Sequence, residues 1–425
     1  MEQFNKVLFI SFNNNQTDSG LYALSALATY IRPYAEVKVI DGIKQDLLGI
    51  IDQFRPDLIC IPSYTVFHKG VVEHAKRIKE HIPNVKLLLG GYHITSMPLS
   101  FQNPPFDYAI LGEGEETLKK LILGENDIRG LITQPCDFVE GSNVDISTLP
   151  VVDLPSLTNR NFYSGAVGMV SSRGCYFNCE YCAIRSMSRG VRFRPVETVV
   201  NEIELYHKEL GAQHIIFWDD VFGLDTEWLT EFIDMLEQRS LLGKLTYSIH
   251  VRASAVTIKR CELWKKMGVV FWNMGLDFGD DVMLAKVKGG GSTVQKNKDA
   301  VLLGGEYGFS IGAYVIFGAP EEKFEQMVNT LAFLQWYGDQ KFIGKIHPNS
   351  AIWFFICTPL PSTKWWKWGI EHKRFDSSID LEKLSLHNWK DHLLLDESVS
   401  EEQLNWIHED AKKHMIRING SFAEY

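Results

Sequence analysis

Continuous apolar segments alternate with amphipathic ones along most of this chain, and that alternation leaves few folds open. Lys6–Phe12 (KVLFISF) reads as a strand apolar on both faces, and Gly20–Ile31 as a helix with Leu21, Leu24, Leu27, Ala28 and Ile31 on one stripe. The pattern continues with strand Val37–Ile40, helix Leu47–Phe54, strand Leu58–Ile61, helix Val71–His81, strands Lys86–Leu89 and Tyr108–Leu111, and a helix from Glu115. Strands without polar alternation are buried on both faces, which means a parallel sheet covered by helices. Such sheets bind ligands beyond the C-terminal ends of their strands. The loops to read are therefore Asn13–Gly20, Ser63–Gly70, Gly90–His93 and Gly112–Glu116.

Periodicity lapses from about Phe138 to Gly165, where Pro150 and Pro155 sit among Ser, Asn and Asp, as in a linker. Six further strands follow: Val167–Ser171, His214–Trp218, Leu245–Ile249, Val269–Met274, Ser310–Phe317 and Ala351–Cys357. The helices among them are Val196–Leu210, Glu227–Gln238, Ile258–Met267, Asp281–Val287, Val294–Tyr307 and Lys323–Trp336. This is the pattern of an open, partial (β/α)6 barrel whose chemistry sits at the C-terminal rim. The expected organisation is α/β throughout: a Rossmann-like domain over residues 1–137, a linker over 138–165, the partial barrel over 166–370, and a small, mainly helical region over 371–425.

Three of the seven cysteines follow the first barrel strand, in Arg173-Gly-Cys175-Tyr-Phe-Asn-Cys179-Glu-Tyr181-Cys182. A four-iron cluster normally takes four thiolates, one per iron, so three leave one iron open to a small molecule. The rival is zinc, which needs a fourth ligand close by. The nearest downstream histidines, His207 and His214, lie inside regular segments. Cys60, Cys136, Cys261 and Cys357 are scattered, and Cys60 and Cys357 sit in apolar runs as small hydrophobes do. There is no disulfide framework, no leader-like N-terminus and no apolar stretch near the ~20 residues that span a bilayer, so a reduced, cytoplasmic protein without a membrane partner is expected. A net charge of −10 argues against a nucleic-acid partner.

The cysteine run, with Tyr181 ahead of Cys182, resembles the signature of the radical S-adenosylmethionine (SAM) superfamily. The resemblance implies that Cys175, Cys179 and Cys182 hold a [4Fe-4S] cluster. Its open iron would chelate SAM, and an electron would split SAM to a 5′-deoxyadenosyl radical. The loops of the first half resemble the cobalamin-binding domain found ahead of many such enzymes. Gly90-Gly91-Tyr92-His93, Gly112-Glu113-Gly114-Glu115 and the strand end Asp57–Ser63 carry that likeness, with Tyr92 where the family usually has proline. It implies a corrin site involving Asn13, Gly20, Ser63, His68, Gly90, Gly91, Tyr92, His93, Gly112, Glu113 and Gly114. Glycine lets backbone approach a flat ligand closely, though a flavodoxin-like domain would show similar glycines. The D-x-H-x-x-G pattern that supplies a histidine to cobalt elsewhere is absent, so the resemblance implies no imidazole on the lower face. His68, read in a strand-end loop, either approaches the cobalt or is solvated.

The barrel rim carries further likenesses. Asp219-Asp220 matches acidic pairs of the family, and only one of two adjacent strand residues faces the barrel mouth to touch SAM or substrate. Asp225 reads as the cap of the next helix. Arg252 stands either to pair with the SAM carboxylate or in solvent. Asp277 stands where the family often has a glutamate for the ribose. Gly318-Ala-Pro-Glu-Glu322 resembles the Gly-x-Pro-Gly-Glu turn against adenine, with Glu321 in the glycine position. Thr358-Pro-Leu-Pro-Ser-Thr363 resembles a closing Thr-Pro-x-Pro-Gly-Thr motif, with Ser362 in the glycine position.

Taken whole, the resemblance implies a cobalamin-dependent radical SAM C-methyltransferase. A methyl group would pass through methylcobalamin to a carbon radical on a small molecule or on a peptide or protein side chain such as glutamine. An electron donor such as flavodoxin or ferredoxin is implied as a partner. A cobalamin-dependent cyclase or ring-contracting enzyme would share these motifs, and a non-catalytic cobalamin or iron–sulfur sensor is the alternative from another class.

Overall fold

The computed structural model describes residues 2–12, 19–135, 141, 143–159, 165–188, 190–385 and 387–420. The chain forms two compact units. The first comprises Met1–Cys175 with Ala183–Gln213, and the second comprises Tyr176–Cys182 with His214–Tyr425.

In the first unit, strands β1 (Lys6–Ser11), β2 (Glu36–Asp41), β3 (Leu58–Pro62), β4 (Lys86–Gly90), β5 (Tyr108–Ile110) and β6 (Leu131–Ile132) form one sheet in the order β2-β1-β3-β4-β5-β6. All neighbours are parallel except β5 and β6. Successive β1 side chains feed opposite cores, as strand geometry requires. Leu8 and Ile10 join Ile51 of α2 (Leu47–Phe54) and Val71, Val72, Ala75 and Ile78 of α3 (His68–His81). Val7 and Phe9 join Leu21, Leu24, Ala28 and Ile31 of α1 (Ser19–Ile31) and Leu118, Leu121 and Ile122 of α5 (Glu115–Ile122). Between α3 and α5 lies the short α4 (Tyr92–Ser96).

The rest of this unit holds α6 (Leu154–Leu157), β7 (Ala166–Met169), the antiparallel pair β8 (Ser172–Arg173) and β9 (Arg192–Phe193), α7 (Ile184–Met187) and α8 (Val196–Leu210). A buried polar network ties four segments of this unit together. Arg194 pairs with Glu202 of α8 at 2.6 Å, the Tyr22 hydroxyl of α1 donates to Glu202 at 2.9 Å, and the Val152 amide donates to Glu202 at 2.8 Å.

The second unit contains five parallel strands, β10 (His214–Phe217), β11 (Thr246–Val251), β12 (Val269–Asp277), β13 (Ser310–Phe317) and β14 (Ala351–Ile356), laid side by side in chain order. The sixth expected barrel strand is β7, in the first unit. Helices α9 (Thr226–Gln238), α10 (Ile258–Met267), α11 (Asp281–Lys288), α12 (Val294–Glu306) and α13 (Phe324–Phe342) alternate with the strands. One face of the sheet is fully buried, with Phe217 packed on Phe232 of α9 and Trp272 on Trp264 of α10.

The other face is only partly buried and carries Phe271, Asn273, Tyr314, Trp353 and Phe355. Gly312 is required there, because a Cβ would lie 2.8 Å from the Phe271 ring and 3.2 Å from the Trp353 ring. After α14 (Lys364–Glu371), α15 (Glu401–Asn419) buries Leu404, Ile407, Ala411, Met415 and Ile418. Its last residue, Asn419, bonds both the N–H and the C=O of Ile352 near the start of β14, so the helix anchors at the end opposite the rim. Among the described residues no helix is long and apolar enough to cross a membrane.

Candidate functional site

The loop Tyr176–Cys182 is fixed within the second unit by its backbone. Glu180 donates its N–H to Val287 at the end of α11 and accepts from the Lys364 N–H at the start of α14, 3.0 and 3.1 Å. The Cys182 N–H closes the turn on the Cys179 carbonyl at 3.1 Å. Cys179 and Cys182 are half-buried, and so is Cys175 at the edge of the first unit. Gly174, just ahead of Cys175, has φ +91°, and a Cβ there would strike the Gly190 carbonyl oxygen.

Two cations serve this loop. Arg252 follows β11 and is 7% exposed; it donates to the Cys179 sulfur at 3.0 Å, which removes the solvated alternative. Lys288, the last residue of α11, pairs with Asp277 at 2.6 Å, both buried. The Tyr181 hydroxyl donates to the same carboxylate at 2.9 Å. Burial, the Asp277 charge and the nearby cysteine sulfurs raise the Tyr181 pKa well above its ordinary value, so the phenol stays a donor. Asp277 closes β12 at φ +62°, where the register with β13 shifts.

The remaining rim positions fall at strand ends. Asp219 is buried at 1% exposure and Asp220 is partly exposed, while Asp225 caps α9 by accepting from the Glu227 and Trp228 amides. Gly318 has φ +76°, and the side chain of Glu322 folds back to accept the Gly318 and Ala319 amides at 2.7 and 3.0 Å. Glu321 and Ser362, the two departures from glycine in the family motifs, have φ +65° and +67°. Both positions need the left-handed region that glycine enters without cost, so the glycines of the family pattern have a backbone reason.

In the first unit, the ends of β3, β4 and β5 bring several expected residues together. Ser63 accepts the His93 N–H and donates its own to Gly90, at 3.0 and 2.8 Å. Gly91 has φ +94°, and a Cβ would lie 3.0 Å from the Ser63 carbonyl oxygen. Gly90 faces open space. Gly112 has φ +76° and donates to the Thr95 hydroxyl.

His68 is the first residue of α3 rather than part of a loop, and it is buried at 5% exposure. The Phe67 backbone already turns into a helix there, which the apolar stripe starting at Val71 did not reveal. The His68 ring lies against His93 at 3.9 Å, tilted by 33°, and shares a hydrogen bond with the Ser63 hydroxyl through Nδ1 at 3.0 Å. Its Nε2 has no partner among the described residues. Burial lowers the His68 pKa to about 4 and that of His93 to about 3, so both rings are neutral at pH 7.

The Glu113 carboxylate is held by protein groups. Arg192 binds it bidentately at 2.5 and 3.0 Å, and the Val144 N–H reaches it at 2.7 Å. Burial opposes its ionisation, but Arg192, Arg173 and that amide outweigh it and hold the carboxyl below its usual range. Gly20 is the second residue of α1, Gly114 precedes α5, and Tyr92 opens α4 with its ring 6.0 Å from Tyr64. Asn13 lies outside the described residues. Sequence reasoning missed Arg173, Arg192, Lys288 and the Tyr22–Arg194–Glu202 network. The two arginines beside the cysteine loop were visible, but nothing local tied them to Glu113 and Glu115.

Family models match both halves of the chain. Residues 6–122 match the B12-binding domain, and residues 169–334 match the radical SAM superfamily. The chain carries a B12-binding domain followed by a radical SAM domain. It is a radical SAM enzyme, and its cofactors are a [4Fe-4S] cluster, SAM and cobalamin. An uncharacterized methyltransferase of Pyrococcus horikoshii is 29% identical over 373 residues, which are 82% of this chain and 78% of that one. The anaerobic magnesium-protoporphyrin IX monomethyl ester cyclase of Cereibacter sphaeroides is 26% identical over 78% of this chain, but that match spans just 56% of the cyclase. The solved radical SAM methyltransferase TsrM from Kitasatospora setae, with tryptophan and a SAM analogue, shares the fold at a TM-score of 0.73 and 19% identity, covering 88% of this chain and 79% of that one.

The residues of this radical SAM enzyme fit its cofactors. No three His, Cys, Asp or Glu side chains among the described residues converge as a single metal ion requires. A cluster asks for something else, one thiolate per iron, and Cys175, Cys179 and Cys182 supply that donor type. For cobalamin, the open space at Gly90, the Cβ-free approach at Gly91 and the unpartnered His68 Nε2 make a strand-end cradle with an unused polar atom.

Proposed function

We infer that this enzyme is a cobalamin-dependent C-methyltransferase acting on an unactivated carbon in an uncharged part of its substrate. One chain carries both the B12-binding domain and the three-cysteine loop, and that pairing supports the reading above all else. When bound, the cluster and cobalamin supply reductive cleavage of SAM and delivery of a methyl group.

The protein's own residues have four tasks in this reading. Cys175, Cys179 and Cys182 would hold the cluster, three thiolates for four irons. Tyr181 and Lys288 fix the Asp277 carboxylate at the end of β12, where it would accept from a ribose hydroxyl. The Gly318–Glu322 turn presents backbone to the adenine, and Asp219 and Asp220 supply polar contact at the end of β10. Ser63, Gly90, Gly91, Gly112 and Gly114 present backbone to the corrin, with the neutral His68–His93 pair behind them. The domain limits expected at residues 137, 165 and 370 belong to this proposal.

The half-exposed face of the barrel sheet bears on the substrate. Its positions on β10–β14 include His214, Ile216, His250, Phe271, Asn273, Tyr314, Ile316, Trp353 and Phe355, and the charged residue in this alternation, Asp277 at the end of β12, is already paired with Lys288. Placing an unpaired charge against such a wall costs several kcal/mol or more. A neutral group, such as an amide side chain of a peptide or a ring of a small molecule, is the substrate class that suits it. The test is anaerobic turnover with methyl-labelled SAM against candidate peptides and metabolites. Label on a substrate carbon supports methyl transfer. Unlabelled product formed with deoxyadenosine would point to the cyclase chemistry of the Cereibacter relative.

A further inference from the structure

We propose that Arg252 is a positioning residue that sets the reduction potential of the cluster through Cys179, and is not a clamp for the SAM carboxylate. The proposal rests on the reading that the cysteine loop carries a cluster.

The guanidinium is almost fully committed. Nη1 donates to the Cys179 sulfur at 3.0 Å, Nη2 to the Lys288 carbonyl at 2.8 Å and the Ser292 hydroxyl at 3.0 Å, and Nε to the Ser254 hydroxyl at 3.0 Å. Four of the five N–H groups are used. Bidentate recognition of a carboxylate needs two parallel N–H groups free on one edge, and no such pair remains. The planar fork reaches three directions at once, which a lysine ammonium on a flexible stem does not reproduce. The arrangement also gives the Gly289–Gly291 run a structural purpose, since it brings the buried Ser292 hydroxyl back onto Arg252.

The charge of Arg252 is directed at sulfur. Among the described residues no carboxylate pairs with it, whereas the neighbouring Lys288 is neutralised by Asp277 at 2.6 Å. The ring of Phe177 covers the guanidinium face at 4.0 Å and keeps water away, which strengthens the charge-assisted bond. Reduction adds one negative charge to the cluster. Hydrogen bonds to its sulfurs and nearby positive charge favour that state and raise the potential.

The experiment uses the full chain, anaerobically reconstituted, as wild type, Arg252→Lys and Arg252→Gln. Three quantities are read: iron and sulfide content, the midpoint potential by redox titration of the reduced-cluster EPR signal, and equilibrium binding of labelled SAM. R252Q is expected to keep iron and SAM affinity, while its reduced-to-oxidised ratio at a fixed potential falls about tenfold, equivalent to about 59 mV for one electron. R252K keeps the charge without the fork and is expected to shift less, in the same direction. A loaded R252Q with the wild-type midpoint overturns the proposal. So does a loss of SAM affinity of about tenfold at unchanged potential, which would restore the carboxylate clamp. If R252Q holds no iron, R252K decides: a lowered midpoint supports the proposal and an unchanged one overturns it. Wild-type protein that takes up no iron and sulfide overturns the cluster reading and this proposal with it, an outcome distinct from a loaded wild type whose midpoint the variants share.

Discussion

Replacing Glu322 by Gln should remove a pH dependence of stability that the Gly318–Glu322 turn builds into the second unit. Glu322 is completely buried, one carboxyl oxygen accepts two amides, and the other has no partner among the described residues. Burial pushes its pKa up to about 8 from 4.5; the two amide bonds oppose the rise and Asp280 adds to it. Between those values the folded chain holds a proton that the unfolded chain has released. Stability contributed by this group is therefore full below pH 4.5, falls as pH rises through the window, and levels off above 8. At about 1.4 kcal/mol per pH unit, the wild type loses about 3 kcal/mol between pH 6 and 9 from this side chain. The amide oxygen of Glu322→Gln still accepts from Gly318 and Ala319, but nothing titrates. Its NH2 group sits where no acceptor waits, a cost of about 1–3 kcal/mol that is the same at every pH. Urea unfolding at pH 6, 7, 8 and 9, followed by tryptophan fluorescence on metal-free protein, reads the difference between the two chains. The variant should start less stable and gain on the wild type as pH rises. Parallel curves would refute the buried, protonated carboxyl.

Glu202→Ala should cost about 3–5 kcal/mol, because it strands Arg194 as a buried, uncompensated charge; a loss below 1 kcal/mol in denaturant unfolding would count against the network. Gly91→Ala combines φ +94° with a Cβ 3.0 Å from the Ser63 oxygen. It should destabilise by about 1–3 kcal/mol and lower cobalamin retention after gel filtration, read from the corrin absorbance. The burial that lowers the pKa values of His68 and His93 to about 4 and 3 keeps both rings neutral at pH 6. Stability they confer is full above the unfolded value of 6.5 and falls as pH drops through 4. Selectively labelled imidazole NMR should show two histidines that stay unprotonated until that range. Cys179→Ala should leave the reconstituted protein without a full complement of iron and sulfide, and intact loading would remove the basis of the cluster reading.

The features that could be read from sequence have local signals. Asp225 reads as a cap and is one, and a dyad of apolar strands needs no partner to be recognised. The failures are of a different kind. His68 was placed in a loop, since nothing local announces that the helix starts three residues before its apolar stripe. Arg252 was assigned to a SAM carboxylate or to solvent, and four contacts now occupy it, three of them from the cysteine loop and the stretch 288–292. Glu113 was read as a corrin contact, yet Arg192, distant in sequence, holds its carboxylate. Glu321 and Ser362 looked like erosion of two glycine motifs, while their positive φ shows that the backbone shape persisted without the residue that makes it easy.

Taken alone, the order of residues determined the succession of strands and helices and the spacing of three thiols, because periodicity and short-range spacing survive without any knowledge of what packs where. Tertiary structure decided which buried charges face each other, which donors are already spent and which carboxyl keeps its proton. Those properties depend on desolvation and on partners far along the chain, and burial cannot be read from a residue's neighbours in sequence.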